Sequence, residues 1–186
     1  EAGVVDRAMA TTTASAKLFN QIAGANGTGS YSVEAWVAPA NVTQTGPARI
    51  VSYSNDTANR NFTLGQAVYS YDFRNRSSTT GVNGTPSAST PNADEKLKAQ
   101  LQHVVATYGP NGKRKIYVDG QDTSATEAQN YGDLSTWSNA YRFVVGNEVT
   151  NDRAFQGTVK LVAVYKKELS VVEVQQNYNS GFGKKV

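Results

Sequence analysis

Residues 155–165 (FQGTVKLVAVY) set apolar positions among polar or small ones along a full strand. Ser170-Val-Val-Glu173-Val174 then opens a short turn of helix that stops at Asn179-Ser180-Gly181. Side chains of a strand point alternately to opposite faces, so such a segment needs a second layer to cover its apolar side. Ser170 with Glu173 three residues on has the spacing of a capping box, in which each side chain satisfies a backbone N–H left orphaned at the helix start. The pair of signals reads as the closing strand of a β-sandwich followed by a small helix that caps it.

The rest of the chain keeps the same grammar. In Tyr31 to Val37, Val33, Ala35 and Val37 point one way and Ser32, Glu34 and Trp36 the other. Runs rich in β-branched and aromatic residues recur at 49–54, 61–66, 68–74, 102–108, 113–118, 141–146 and 157–165, separated by Gly, Asn, Asp and Pro. Asn111-Gly112 and Asp119-Gly120 fall between or after such runs and supply the positive φ that tight hairpins need. One short helix is expected over 14–22, with Leu18, Phe19 and Ile22 on a common face, closed by Gly24. Ser77 to Glu95 lacks any apolar period and is long for a loop in a compact domain, a length that goes with function or mobility. The expected fold class is all-β: a two-sheet antiparallel β-sandwich (jelly roll) with a short C-terminal capping helix, formed by residues 1–186 as a single domain.

Composition narrows the function classes. Apolar residues make up 39% of the 186 and charged residues only 18%, so Ser, Thr, Asn, Gln and Gly must cover much of the surface, as in many exported β proteins. The absence of cysteine excludes disulfides, thiolate metal sites and a cysteine nucleophile. Net charge is +3 and the basic residues are scattered, apart from Lys113-Arg114-Lys115 and Lys184-Lys185, which is not the stripe that nucleic acid binding asks for. No run approaches the ~18 apolar residues of a membrane span, so no membrane insertion is expected. A chain starting at Glu1 is expected to be a processed protein or a module of a longer one.

Five blocks in order carry a family resemblance: Ser32-Val-Glu-Ala-Trp-Val37 with Pro39, Gln102-His-Val-Val-Ala-Thr-Tyr108, Ile116-Tyr-Val-Asp-Gly120, Val145-Gly-Asn-Glu148, and the closing 157–181 segment. Over about 14–182 the chain resembles the bacterial laminin-G-like jelly rolls of the concanavalin A-like lectin/glucanase superfamily. The resemblance implies a jelly roll with one concave face, in a non-catalytic module of an exported or cell-surface protein that binds glycans or other proteins and sometimes a structural calcium. It departs at Lys160, in Gly157-Thr-Val-Lys160-Leu161, where the family commonly has an acid.

Candidate chemistry is sparse. Glycoside hydrolysis needs two converging carboxylates, and the Glu-x-Asp-x-x-Glu strand of the superfamily's glucanases is missing. A polysaccharide lyase using Gln102, the sole His103, Arg74 and Arg76 ranks third, because His103 reads as a structural residue bonding a nearby backbone group. No catalytic residue is assigned. Calcium, the only cofactor worth naming, would draw on Asn147, Glu148 and Asp152. Sugar binding needs an aromatic face with planar amides, Arg or Asp around it. On 68–76, alternation puts Asp72, Arg74 and Arg76 on one face and Tyr69, Tyr71 and Phe73 on the other, read as core. Arg60 and the loop residue Trp137 complete the expected ligand set, and Trp36 reads as core. The expectation is a secreted or cell-surface recognition module that binds carbohydrate. The alternative is an assembly subunit docking onto a larger extracellular protein or filament.

Overall fold

A computed structural model describes residues 7–123 and 129–183. The elements in order are β1 (Ala8–Met9), α1 (Thr12–Ile22), β2 (Tyr31–Pro39), β3 (Ala48–Ser54), β4 (Arg60–Ala67), β5 (Ser70–Asn75), β6 (Ala88–Ser89), a 3₁₀ turn (Asn92–Asp94), β7 (Gln102–Tyr108), β8 (Arg114–Val118), β9 (Gln121–Asp122), β10 (Arg142–Val145), β11 (Gly157–Tyr165) and α2 (Val171–Ser180). The strands form two antiparallel sheets, β1-β10-β3-β4-β5-β6 and β11-β2-β7-β8-β9, the β-sandwich jelly roll that the alternation predicts. The short β1, β6 and β9 were not anticipated, since two residues show no period. None of the described helices is long and apolar enough to cross a membrane.

Between the sheets, Val33, Ala35 and Val37 of β2 meet Val104 and Ala106 of β7, and Phe62, Leu64, Tyr71 and Phe73 of the facing sheet. Outward on β2, Ser32, Glu34 and Trp36 are buried as well, because α2 lies across that face. Trp36 is thus packed, but beneath the helix: Tyr178 stacks on it with ring centroids 5.9 Å apart and planes 8° off parallel. Gly120, at φ +75 in the β8–β9 turn, makes room for Tyr178, which a Cβ there would approach to 3.0 Å. Both halves of the predicted capping box at Ser170 and Glu173 are formed.

Edge strand β11 carries a bulge at Lys160. Val159 pairs with Val37 and Leu161 with Trp36, so Lys160 is the extra residue. The shift turns Val159, Val162 and Val164 toward the core and sends Tyr165 out toward α2. A bulge and a lysine are two of the devices that keep an exposed sheet edge from pairing with another chain.

Glu34 is the polar anchor of α2. Its carboxylate accepts from His103 Nε2 at 2.9 Å, Tyr165 Oη at 2.7 Å and Asn177 Nδ2 at 2.8 Å. His103 therefore bonds a carboxylate and not the backbone group expected of it. Burial pushes the Glu34 carboxyl up, but hydrogen bonds from His103 and Tyr165, then that of Asn177, hold it below the usual carboxylate range. A depressed folded-state value gives stability that is complete above the unfolded value and is lost as pH falls through the folded one. Glu34→Gln is expected to cost about 1–3 kcal/mol at pH 7, and less once the pH is below ~4. Urea unfolding of both proteins at pH 7 and pH 3 checks this, and a gap that does not narrow in acid contradicts it.

Candidate ligand-binding face

The outer face of the six-stranded sheet, turned away from the core, is polar along β3 to β6, while Val144 of β10 and Met9 of β1 continue it toward the other edge. Arg49, Ser52 and Ser54 stand on β3, Arg60 and Thr63 on β4, Asp72 and Arg74 on β5 and Ser89 on β6. Register places Ser52 beside Thr63 and Thr63 beside Arg74, while Asp72 sits between Gly65 and Ser89. Gly65 is required there, since a Cβ would lie 2.3 Å from the Ala48 carbonyl oxygen. Arg60 reaches this face because Asn61 is bulged out of the β3–β4 register.

On the β3 side the face is filled by Glu148 from the loop after β10. Its carboxylate is fully buried and accepts from Arg49 Nε at 3.1 Å, Ser52 Oγ at 3.2 Å, Ser54 Oγ and the Val149 N–H. Burial lowers the Arg49 guanidinium, while the Glu148 hydrogen bond and charge raise it; the net is downward.

Toward β6 the same face reaches solvent. Arg74, with a side chain 21% exposed, donates through Nε to Asp72 Oδ1 at 3.0 Å. Ser89 donates to Asp72 Oδ2 at 2.8 Å, Ser87 lies 3.3 Å from Ser89, and Asn83 Oδ1 accepts from Arg74 Nη1 at 3.5 Å. Apart from the buried Asp72 carboxylate, this row of guanidinium, amide and hydroxyls is half-exposed, and hydroxyl-rich ligands need such donors and acceptors.

Of the ligand residues expected from sequence, Arg60, Asp72 and Arg74 share this face. Two do not belong to it. Arg76 lies beyond the end of β5 and bonds Tyr141 Oη at 3.3 Å. Trp137 is only 6% exposed, packs on Tyr31, Tyr53 and Phe62, and donates its indole N–H to the Arg76 carbonyl, so it is a core residue and no sugar platform. Tyr69 corrects the reading in the other direction. It occupies the β4–β5 turn, 46% exposed, beside a recess of about 360 Å³ shared with Val42, Leu97 and Lys98. Ser87, Ser89 and Asn83 were missed because they lie in the aperiodic 77–95 stretch. A separate groove of about 590 Å³ beside α1, lined by Lys17, Asn20, Asn26 and Lys166, contains none of the expected residues.

The expected calcium ligands do not converge. Asn147 Oδ1 accepts from the backbone N–H groups of Glu148 and Arg153, Glu148 turns inward onto a guanidinium, and Asp152 is exposed and bonds Thr150. Arg49 holds the place a cation would take, so the donor set does not fit calcium. Gln102 and His103 point to opposite sides of β7, one to Tyr71 and Asp119, the other to Glu34, so the lyase constellation is not assembled either.

Comparison with known proteins agrees with this architecture. A CBM40 domain of the Ruminococcus gnavus IT-sialidase, solved bound to α2,3-sialyllactose, superposes with a TM-score of 0.63 at 16% identity, over 79% of this chain and 81% of that one. The binding domain of botulinum neurotoxin serotype D/C does so with 0.57 at 16%, and a botulinum neurotoxin DC binding domain in complex with rat synaptotagmin II with 0.54 at 14%. The chain covers only 36% of either toxin chain. At these identities the likeness is one of fold. No curated protein matches by sequence. A laminin-G family model described as the concanavalin A-like lectin/glucanases superfamily matches residues 11–175, and the chain therefore belongs to that family.

Proposed function

We propose that the chain is a non-catalytic recognition module, acting at the cell surface or in secreted form, that binds carbohydrate along the Arg74–Asp72–Ser89 row. The observation that carries this reading is the row itself, an ion pair whose carboxylate is buried and whose guanidinium reaches solvent, flanked by an amide and two hydroxyls. The CBM40 neighbour solved with a sialylated sugar supports it as a likeness of fold. Hydrogen bonds to charged groups contribute about 1.5–3 kcal/mol, so Arg74→Ala is expected to weaken binding by roughly 10- to 100-fold. A glycan array followed by titration calorimetry tests this. If no glycan binds, or if Arg74→Ala binds as the parent does, the reading falls.

One observation favours docking onto an extracellular protein as a second reading. The edge strand β11 is half-exposed or exposed along all nine residues, and among the described residues only β2 pairs with it. A partner that adds a strand there would bind Arg74→Ala as it binds the parent.

A further inference from the structure

On β3, β4 and β5 the outer face holds three guanidiniums, Arg49, Arg60 and Arg74, and it meets two carboxylates, Glu148 and Asp72. Glu148 pairs with Arg49 at 3.1 Å and Asp72 with Arg74 at 3.0 Å. Arg60 has no carboxylate within ion-pair distance among the described residues. It is fully buried, donates to the Thr57 carbonyl and to Thr63 Oγ1 at 3.3 Å, and its Nε has no partner. Burial first, then Arg49 and Arg74, pull its pKa down to about 10 against the smaller upward pull of Glu148 and Asp72, which leaves it charged at neutral pH. A buried charge with no carboxylate in contact is a standing cost to the fold.

The position of that charge matters. Thr63, to which Arg60 donates, lies directly opposite Arg74 in the β4–β5 register. Arg74 reaches solvent, and its own charge is already matched by Asp72. An anion arriving at Arg74 therefore meets a site whose excess positive charge sits just behind it, in protein, where screening by salt is weak.

We infer that the ligand presents an anionic oxygen group, a carboxylate or a sulfate carried on the sugar, and that Arg60 selects it by acting through Arg74. The inference rests on the carbohydrate reading and narrows it to acidic glycans. Arg60 is here a positioning residue: Arg74 makes the contact, and the buried charge supplies the preference.

The test compares glycans with and without the charge on one scaffold: sialyllactose with lactose, oligogalacturonate with its methyl ester, and a sulfated oligosaccharide with its desulfated form. The charged member of at least one pair is expected to bind about tenfold tighter or more at low salt, and to keep most of that preference as salt is raised. Arg60→Gln is expected to bring the ratio close to one, and Arg60→Lys, which keeps the charge, to restore most of it. Should Arg60→Gln not fold, Arg74→Gln at the half-exposed position is expected to lose the preference as well. Equal binding of charged and neutral members in the parent overturns the anionic inference and leaves the carbohydrate reading standing. A preference unchanged in Arg60→Gln overturns the role of Arg60. If no member of any pair binds, the inference falls together with the reading beneath it.

Discussion

Replacing Glu148 by Ala is expected to cost about 3–5 kcal/mol of folding free energy, a large part of the stability of an ordinary domain. The carboxylate satisfies Arg49, Ser52, Ser54 and the Val149 N–H at once, and all three side chains are buried at 1% exposure or less. Its removal leaves a guanidinium without a counter-ion in a place water reaches poorly. The loss belongs to the broken pair and not to an ion pair as such, because exchanging both partners for apolar groups is often neutral. Arg49→Met with Glu148→Leu is therefore expected to recover the part of the loss that comes from the stranded guanidinium, while Ser52, Ser54 and the Val149 N–H still lack their acceptor. Urea unfolding of the parent, the single and the double variants measures this, and a Glu148→Ala protein as stable as the parent contradicts it. The same residue decides the question of calcium. With Arg49 on the carboxylate, added calcium is expected to leave the Tm of the parent where it was. A rise that disappears in Glu148→Gln would return a cation to the site.

The fold was legible because its signals are local. Alternation in β2, the Asp119-Gly120 turn and the Ser170–Glu173 box each depend on residues within a few positions of one another, and each is formed as read. Alternation failed where a bulge breaks its period. At Lys160 the inserted residue puts Val159 and Val162 on the same side, and at Asn61 another brings Arg60 onto the face of Thr63. The lysine that departs from the family pattern is accounted for by its place at a bulged sheet edge.

The candidate face was half legible for a related reason. Asp72 and Arg74 follow from the period of β5, but Ser89 comes from a two-residue strand with no period and Ser87 from the loop before it. Glu148 joins Arg49 across 99 positions of sequence. A carboxylate in an Asn- and Asp-rich loop looks the same in sequence whether it faces a cation from solvent or a buried guanidinium. What separates the two is the third dimension, in which the loop after β10 folds back over β3. The sequence-level choice of calcium weighed the loop by its composition, whereas its partners lie on another strand.

Trp137 shows how far such a difference can reach. Trp137→Ala is expected to cost about 3–5 kcal/mol, the loss typical of a large aromatic removed from a packed core. The ring lies 5.1 Å from that of Tyr31 and 5.8 Å from those of Tyr53 and Phe62, and its N–H ties the 129–141 segment to the Arg76 carbonyl at 2.8 Å. Trp137→Phe keeps most of the contacts and leaves that carbonyl its second donor, Asn75 Nδ2 at 3.0 Å, so it is expected to cost about 0.5–1.5 kcal/mol. A sugar platform would behave in the opposite way. An exposed Trp contributes little to folding, and its loss abolishes binding with the fold intact. With the ring inside the sandwich, the folded fraction of Trp137→Phe is expected to bind glycan as the parent does while melting at lower temperature. Thermal unfolding and calorimetry on the same sample distinguish the two roles: parent-like stability with lost binding would place Trp137 in the ligand site after all. Lower stability with retained binding assigns it to the joint between the sheets, where the aromatic cluster holds β4 and β5, and with them Arg60, Asp72 and Arg74, at fixed separation.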